Sequence, residues 1–448
     1  MNKKIWQPVL LFALTLLIGS CGGGGGGGGG GGSGGIGIAS TGAVVNGVAP
    51  GAGQGDGATS GGSAPSAGVA AGVSASSSVG GDDGSGVGSG GTGVSSASAV
   101  GIGSADGFGS VIVNGVRYNT DNAVINLQDA AELQLGISVK VTGPVNGNFT
   151  AGTATSVESA AELRGAVSNI NLTSDTFSLL GTLVSTDAET VWADASGLSG
   201  IAAGSTVQVW GLPAAPGMLR ATRIAQVASG ATLIATGTVQ KLDKNAGVLS
   251  IGALNVNYAN ALFAGGLDAA TLANGTIVRV RGSGLSSSGA LTATVVQSWY
   301  PLAQTAGQTA ALDGVVTDYA GLASFKVLGV PVNAGAAQIT GGPNTSIGNG
   351  VKLEIAGTFS GGVLRATKLK IRHIAGTGGP SSFALIGTVG AFTSAASFKV
   401  RGQSIDASSQ GVVFQNGTAA NLGNGTEVSV TGSQVLNGVL QANTVTFN

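Results

Sequence analysis

The sequence predicts an all-β protein in which tandem small OB-like five-stranded barrels follow a signal peptide and a long disordered Gly/Ser-rich tether. Three observations lead to this prediction. An apolar N-terminal run ends at the only cysteine, a glycine-rich tract follows it, and from about Val100 onward one pattern of short alternating strands recurs five times. Apolar and polar residues alternating in pieces of four to seven, bounded by Gly and Asn, are typical of antiparallel β-strands.

The N-terminus has the order of charges and apolar residues found in a secretory signal peptide. Lys3 and Lys4 precede an apolar run from Val9 to Ile18, which is shorter than the ~20 residues that a membrane-spanning helix needs. The segment Ile18-Gly19-Ser20-Cys21 resembles a bacterial lipobox. We therefore predict a lipoprotein signal peptide over residues 1–20 and lipidation of Cys21, with ordinary secretory cleavage beside an incidental cysteine as the alternative.

A lipidated Cys21 would decide where the protein resides. Several acyl chains on one cysteine anchor a protein stably, whereas one chain binds a membrane only marginally. The resemblance to lipoproteins implies that Gly22, directly after the cysteine, favours sorting to the outer membrane of a Gram-negative cell; the periplasmic and surface faces both stay open. With its one cysteine used as the anchor, the mature chain would have no thiol for disulfides, thiolate catalysis or cysteine-based metal sites.

Residues 21–99 are predicted to form a disordered tether. After the cysteine this tract is almost entirely Gly, Ser, Ala and Val, and its charged residues are Asp56, Asp82 and Asp83. Such a composition has too little apolar surface to offset the conformational entropy of folding. The tether would hold the folded repeats away from the membrane.

The repeats share a fixed glycine interval. An apolar residue, two spacers and a glycine occur at Leu133-Gly136, Ile201-Gly204, Leu272-Gly275, Ile347-Gly350 and Leu422-Gly425. Seven residues after each of these glycines, a second glycine ends an alternating strand, at Gly143, Gly211, Gly282, Gly357 and Gly432. A constant interval beside variable loops marks one reused supersecondary unit. We predict β modules at 100–160, 161–230, 231–308, 309–380 and 381–448, with a β-sandwich or a propeller as the alternative fold.

The first repeat carries a resemblance to a known family. Its segment GFGSVIVNGVRYNT, from Gly107 to Thr120, precedes the L-x-x-G and V-x-V-x-G elements. Together they resemble the bacterial domain of unknown function 5666, which occurs in lipoproteins with glycine-rich N-termini. The resemblance is closest in the first repeat and weaker in the four later ones. It implies no activity and no catalytic position, because the shared motifs are structural glycines and apolar core residues.

The residues needed for common catalytic mechanisms are scarce. His373 is the only histidine, so a histidine pair for a metal is excluded, and beside Arg372 at a strand end it is better interpreted as a solvated surface residue. Asp187, Glu189 and Asp194 could in principle hydrolyse glycosides, but no other repeat has this cluster, and ordinary loop carboxylates are the preferred interpretation. We therefore expect no catalytic residues, no metal and no cofactor.

Two features suggest a binding surface. Lys368, Lys370 and Arg372 alternate along one strand, which indicates either a charged edge protected from aggregation or a site for a small anion or polysaccharide. Trp210 occupies an outward position of VQVWG, where it either contacts a ligand or, as the preferred interpretation, packs against the next repeat.

The predicted function is that of a non-enzymatic cell-envelope lipoprotein whose modules have a structural or binding role. The alternatives are a carboxylate-dependent hydrolase and a surface protein that binds polysaccharide or nucleic acid. The expected partners are the membrane, through the lipid anchor, and an envelope polysaccharide or protein. Nucleic acid is not expected, because a net charge of -1 and 4% aromatic residues provide neither a phosphate-binding field nor stacking platforms.

Overall fold

The computed structural model describes residues 97–373 and 383–448, and within them the protein is all-β, as the alternating pattern predicts. The helical elements of this part are three short 3-10 turns at Leu198–Gly200, Asn344–Ser346 and Ala419–Asn421. The predicted signal peptide, Cys21 and the predicted tether up to residue 96 lie outside the described residues. No helix in the described part is long and apolar enough to cross a membrane.

Residues 97–373 and 383–448 form thirty-two strands, which fall into five successive sets. Repeat one contains β1 (Ala97–Ser104), β2 (Gly107–Phe108), β3 (Val111–Val113), β4 (Val116–Asn119), β5 (Val124–Leu127), β6 (Ser138–Val145), β7 (Ala151–Thr153) and β8 (Ser156–Ser159). Repeat two contains β9 (Leu163–Asn171), β10 (Thr176–Leu179), β11 (Thr182–Ser185), β12 (Val191–Trp192), β13 (Thr206–Pro213) and β14 (Met218–Gln226). Repeat three contains β15 (Leu233–Asp243), β16 (Val248–Ile251), β17 (Leu254–Asn257), β18 (Leu262–Ala264), β19 (Ile277–Leu285) and β20 (Leu291–Ser298).

The last two repeats have the same order of long and short strands. Repeat four contains β21 (Thr309–Gly321), β22 (Ser324–Val327), β23 (Val330–Asn333), β24 (Gln338–Thr340), β25 (Lys352–Ser360) and β26 (Val363–His373). Repeat five contains β27 (Phe383–Ser394), β28 (Ser397–Val400), β29 (Gln403–Asp406), β30 (Val413–Gln415), β31 (Glu427–Leu436) and β32 (Val439–Phe447).

Repeat two illustrates how the strands pair within one unit. Strand β9 pairs antiparallel with β10 and with β13, β10 pairs with β11, β11 runs parallel to β14, and β14 pairs with β13. The short β12 lies in the long connection after the third main strand and runs parallel to β14. Repeats three, four and five have the same pairings. The sequence pattern did not predict the short sixth strand.

The prediction of separate small OB-like barrels is wrong, because strands of different repeats pair with one another. β1 runs parallel to β21, with Ala99 opposite Thr309, and β2 runs parallel to β27. Repeats one, four and five thus share one 20-stranded sheet, and repeats two and three share a 12-stranded sheet through β9 and β15. The physical cause is an open edge. The first half of the first strand in each repeat is hydrogen-bonded on one side, to the strand that carries the second glycine of the repeated interval. Its other side is free to pair with another repeat.

Each repeat nevertheless has its own apolar core. The described residues form five clusters of buried side chains, one centred on each repeat, and residues of neighbouring repeats complete several of them. Leu212 and Trp299, for example, pack into the core of repeat four. Thr309–Val316 of β21 are buried at every position, since both faces of this segment are covered by protein.

The second glycine of the repeated interval permits close approach of two strands. A Cβ atom on Gly143, Gly211, Gly357 or Gly432 would overlap a backbone carbonyl oxygen of the strand alongside. In repeats two to five the strand register shifts at this glycine, which indicates a β-bulge. The glycine recurs because a side chain does not fit there.

We predict that Gly282→Ala lowers the free energy of unfolding by about 1–3 kcal/mol, the range typical of overpacked sites. The added Cβ would overlap the Leu291 side chain and lie 2.8 Å from the Thr292 oxygen. Gly284→Ala on the same strand is the matched control, since its Cβ would meet nothing within 4 Å. Urea denaturation of both variants measures the difference, and equal stability of the two would contradict the steric explanation.

Candidate functional site

Trp210 is buried between repeats and is not part of an open surface. Its side chain is 3% exposed and belongs to an apolar cluster with Ile234, Ala311 and Ala356, which come from repeats three and four. The guanidinium of Arg223 lies 6.0 Å from the centre of its ring. Other repeats cover the outward face of β13, so Trp210 packs between repeats, as in the preferred interpretation of the sequence. The other interpretation, a contact on an open binding surface, is wrong.

The three cations predicted to share one face have different environments. Lys370 is exposed, and Lys368 is half-buried, with its Nζ donating to the Asn148 carbonyl 2.5 Å away. Arg372 is 7% exposed and donates from Nη1 to Oε1 of Glu354 at 2.6 Å. Repeat one covers this end of β26, so the open cationic surface is reduced to two lysines. The side chain of His373 lies outside the described part.

Arg372 belongs to a buried cluster of charges that we call the ionic junction, made of Asp106, Glu189, Asp313, Lys352, Glu354 and Arg372. Nζ of Lys352 lies 3.1 Å from a Glu189 carboxylate oxygen and 3.5 Å from one of Asp313. Arg372 also lies 3.7 Å from Asp106. The junction joins repeat one through Asp106, repeat two through Glu189 and repeat four through the other members.

Burial dominates the electrostatics of the ionic junction. Burial raises the pKa of Asp313 to about 7, although the nearby ammonium of Lys352 acts to lower it. Burial also raises the pKa of Asp106, against the influence of Arg372 and Lys352. Burial acts to lower the pKa of Lys352, but the surrounding carboxylates outweigh it and raise that pKa above its usual range. The cluster is thus a set of mutually dependent ion pairs.

The candidate hydrolytic carboxylates lie in or beside this junction. Glu189 is a member, and Asp187 forms an ion pair with Arg220 next to it. Asp194 is exposed and accepts a hydrogen bond from the Gln226 backbone at 2.9 Å. The cavity beside the junction has a volume of about 10 Å³, which is about the space for one water molecule. No three acidic, histidine or cysteine side chains of the described residues are placed to hold a metal ion.

Glu162 forms a second buried junction, which the sequence analysis did not identify. Its fully buried carboxylate accepts hydrogen bonds from Arg279 Nη2 at 3.0 Å and Trp299 Nε1 at 2.9 Å. It also accepts from the Ser138 hydroxyl at 2.9 Å and the Gly211 backbone at 2.8 Å. Burial raises the pKa of Glu162 even though Arg279 acts to lower it. One carboxylate thereby connects repeats one, two and three.

Asp129 of repeat one forms a third junction nearer the surface. It pairs with Arg164 of repeat two at 2.7 Å and with Arg281 of repeat three at 2.6 Å. Burial acts to raise the pKa of Asp129, but hydrogen bonds and charge from Arg281, with the charge of Arg164, lower it overall. The sequence contained a signal for these junctions. The outward positions of the strand that ends at the second glycine of the interval are arginines in repeat three and lysine and glutamate in repeat four.

We predict that Glu162→Ala destabilises the protein by about 3–5 kcal/mol, because Arg279 would remain buried without its carboxylate. Glu427→Ala, at an exposed strand position, is the matched control and should change stability by less than about 0.5 kcal/mol. Urea denaturation gives both values. Similar small effects for the two substitutions would mean that Glu162 does not hold the repeats together.

The raised pKa of Asp313 predicts a pH dependence of stability. The folded state binds this proton more tightly than the unfolded chain, whose carboxyl titrates near 3.8. The stability that the proton contributes is complete below about pH 4 and is lost as the pH rises to about 7. Asp313→Asn should therefore lessen the fall in unfolding free energy across this window, as measured by denaturation at several pH values. Asp121→Asn, on an exposed loop, is the control; parallel curves for wild type and Asp313→Asn would contradict the prediction.

Comparison with known proteins shows a similarity for three of the repeats and supplies no activity. No curated protein matches the chain. The model of the domain of unknown function (DUF5666) matches residues 164–225, 313–370 and 386–446. These segments lie in repeats two, four and five, so the matched residues do not include repeat one, where the sequence analysis placed the closest resemblance. Repeats two, four and five are therefore similar to the domain of unknown function DUF5666, and all three have the strand order described above.

Proposed function

We propose that this protein is a non-enzymatic cell-envelope lipoprotein whose repeats form one continuous body with a structural or binding role. The proposal rests on the positions of the buried charged residues, which pair with one another between repeats. The buried carboxylates Glu162 and Glu189 form ion pairs with cations of other repeats. Residues engaged in this way position repeats against one another and are not presented to a substrate.

The hydrolase alternative has little geometric support. A glycosidase needs two carboxylates 5–10 Å apart, roughly, on either side of a cleft that admits a sugar ring. Asp187 and Glu189 instead border a cavity of about 10 Å³ and are paired with Arg220 and Lys352. We therefore retain the non-enzymatic proposal.

One observation favours a polysaccharide as the bound ligand. A groove of about 250 Å³ lies between repeats one and four and is lined by Phe149, Gln338, Thr340, Glu354, Lys368 and Lys370. An aromatic ring, amide and hydroxyl groups and two cations are suitable contacts for an acidic saccharide. This groove replaces the open three-cation face as the surface for an envelope polysaccharide.

The proposed anchor is Cys21, at the outer membrane, and the sequence Ile18-Gly19-Ser20 before it supports this assignment. We predict that Cys21→Ala abolishes metabolic labelling with a fatty-acid analogue and moves the protein out of the membrane fraction. Ser20→Ala is the matched control, since it keeps a small residue before the cysteine and should label normally. Persistent labelling of Cys21→Ala would refute the lipoprotein assignment.

A further inference from the structure

Arg223 differs from the other buried cations of the described residues. Four cationic side chains are less than 9% exposed: Arg223, Arg279, Lys352 and Arg372. The last three each lie within 4 Å of a carboxylate. No ion pair of the described residues includes Arg223, which is 8% exposed.

The protein neutralises this guanidinium only in part. Arg223 donates from Nη1 to the Leu135 carbonyl at 3.1 Å, and its Nε has no hydrogen-bond partner in the described part of the chain. Burial lowers the pKa of Arg223 to about 10, with a partial opposing influence from Asp194. Because a buried charge without a counter-ion is unfavourable, an anion beside Arg223 would be stabilising.

A cavity is present where such an anion would bind. It has a volume of about 220 Å³, lies between repeats one, two and five, and is lined in part by Glu132, Gln134, Arg223, Arg401, Gln403 and Ser404. Arg401 is exposed, on the turn between β28 and β29, and supplies a second guanidinium. The volume is below the roughly 300–1,000 Å³ of drug-sized ligand sites, so it suits a small molecule.

We propose that this cavity is a binding site for a small oxyanion, a carboxylate or phosphate group, held by Arg223 and Arg401. Guanidinium groups bind both kinds of oxyanion through paired charge-assisted hydrogen bonds. Gln134 and Ser404 add neutral polar groups to the lining. Glu132, which is exposed at the same cavity, opposes the anion and limits its affinity. The site is separate from the groove with Lys368 and Lys370 and does not depend on the lipid anchor.

Calorimetric titration of the chain from residue 22 onward, at constant ionic strength, tests this proposal with sodium phosphate, acetate and glucuronate as probes. We expect saturable binding of at least one probe with a dissociation constant of about 1 mM or tighter. Arg401→Gln should weaken it at least tenfold, roughly the loss of one charge-assisted hydrogen bond. Glu132→Gln should strengthen it. Arg365→Gln, an exposed arginine that does not line the cavity, is the matched control and should leave it unchanged.

The outcomes separate the two oxyanion sources. Preferential binding of phosphate indicates a phosphorylated ligand, and preferential binding of glucuronate or acetate indicates a carboxylate. Arg223→Lys keeps the charge but loses the planar donor geometry, so it should also weaken binding; if this variant does not fold, the Arg401→Gln result decides. Absence of binding by all three probes, or equal affinity of Arg401→Gln and Arg365→Gln, would overturn the proposal.

Discussion

The open half-edge of the first strand is the constraint on which the architecture depends. In repeat four, for example, the first half of β21 pairs with β25 and the second half pairs with β22. The backbone groups on the other side of the first half have no partner inside the repeat. Buried backbone donors and acceptors need hydrogen bonds. β1 therefore pairs with β21, and β2 with β27. These contacts between repeats are made by backbone atoms, so they do not by themselves select one repeat over another.

Side chains then determine which repeats become neighbours. Once the first strands of two repeats pair, the outward positions of the neighbouring strands β13, β19 and β25 also become buried. The residues at these positions differ in charge and size between repeats. Trp210 of repeat two packs there, Arg279 of repeat three binds Glu162 of repeat two, and Lys352 of repeat four binds Glu189 of repeat two. Buried ion pairs add little net stability relative to well-packed apolar residues, but a mismatched pairing would leave a charge uncompensated. We infer that these charges specify the arrangement of otherwise similar units.

The low content of charged residues has a different meaning in three dimensions. Charged residues make up 9% of the chain, and the sequence indicated one cationic strand face among them. The structure instead places many of the charges at junctions, so Arg372 is removed from the surface and the Asp187 and Glu189 cluster is closed by cations. Of the candidate surface from the sequence, Lys368 and Lys370 line one groove. The cavity with Arg223 could not be recognised from the sequence. Arg223 occupies an ordinary strand position, and only the covering repeats bury it.

By itself, the sequence determined the all-β class, the repeated unit and the need for its closing glycines, because these depend on local alternation and on steric contact between strands close in the chain. Gly282 illustrates this, since its overlap with Leu291 lies within a single repeat. Tertiary structure decided which repeats share a sheet, where Trp210 packs, and which charges meet at Glu162 and Lys352. Those contacts join residues from different repeats, often more than 100 positions apart. No periodicity in the sequence encodes such pairs, because they depend on how open strand edges and outward faces match in space.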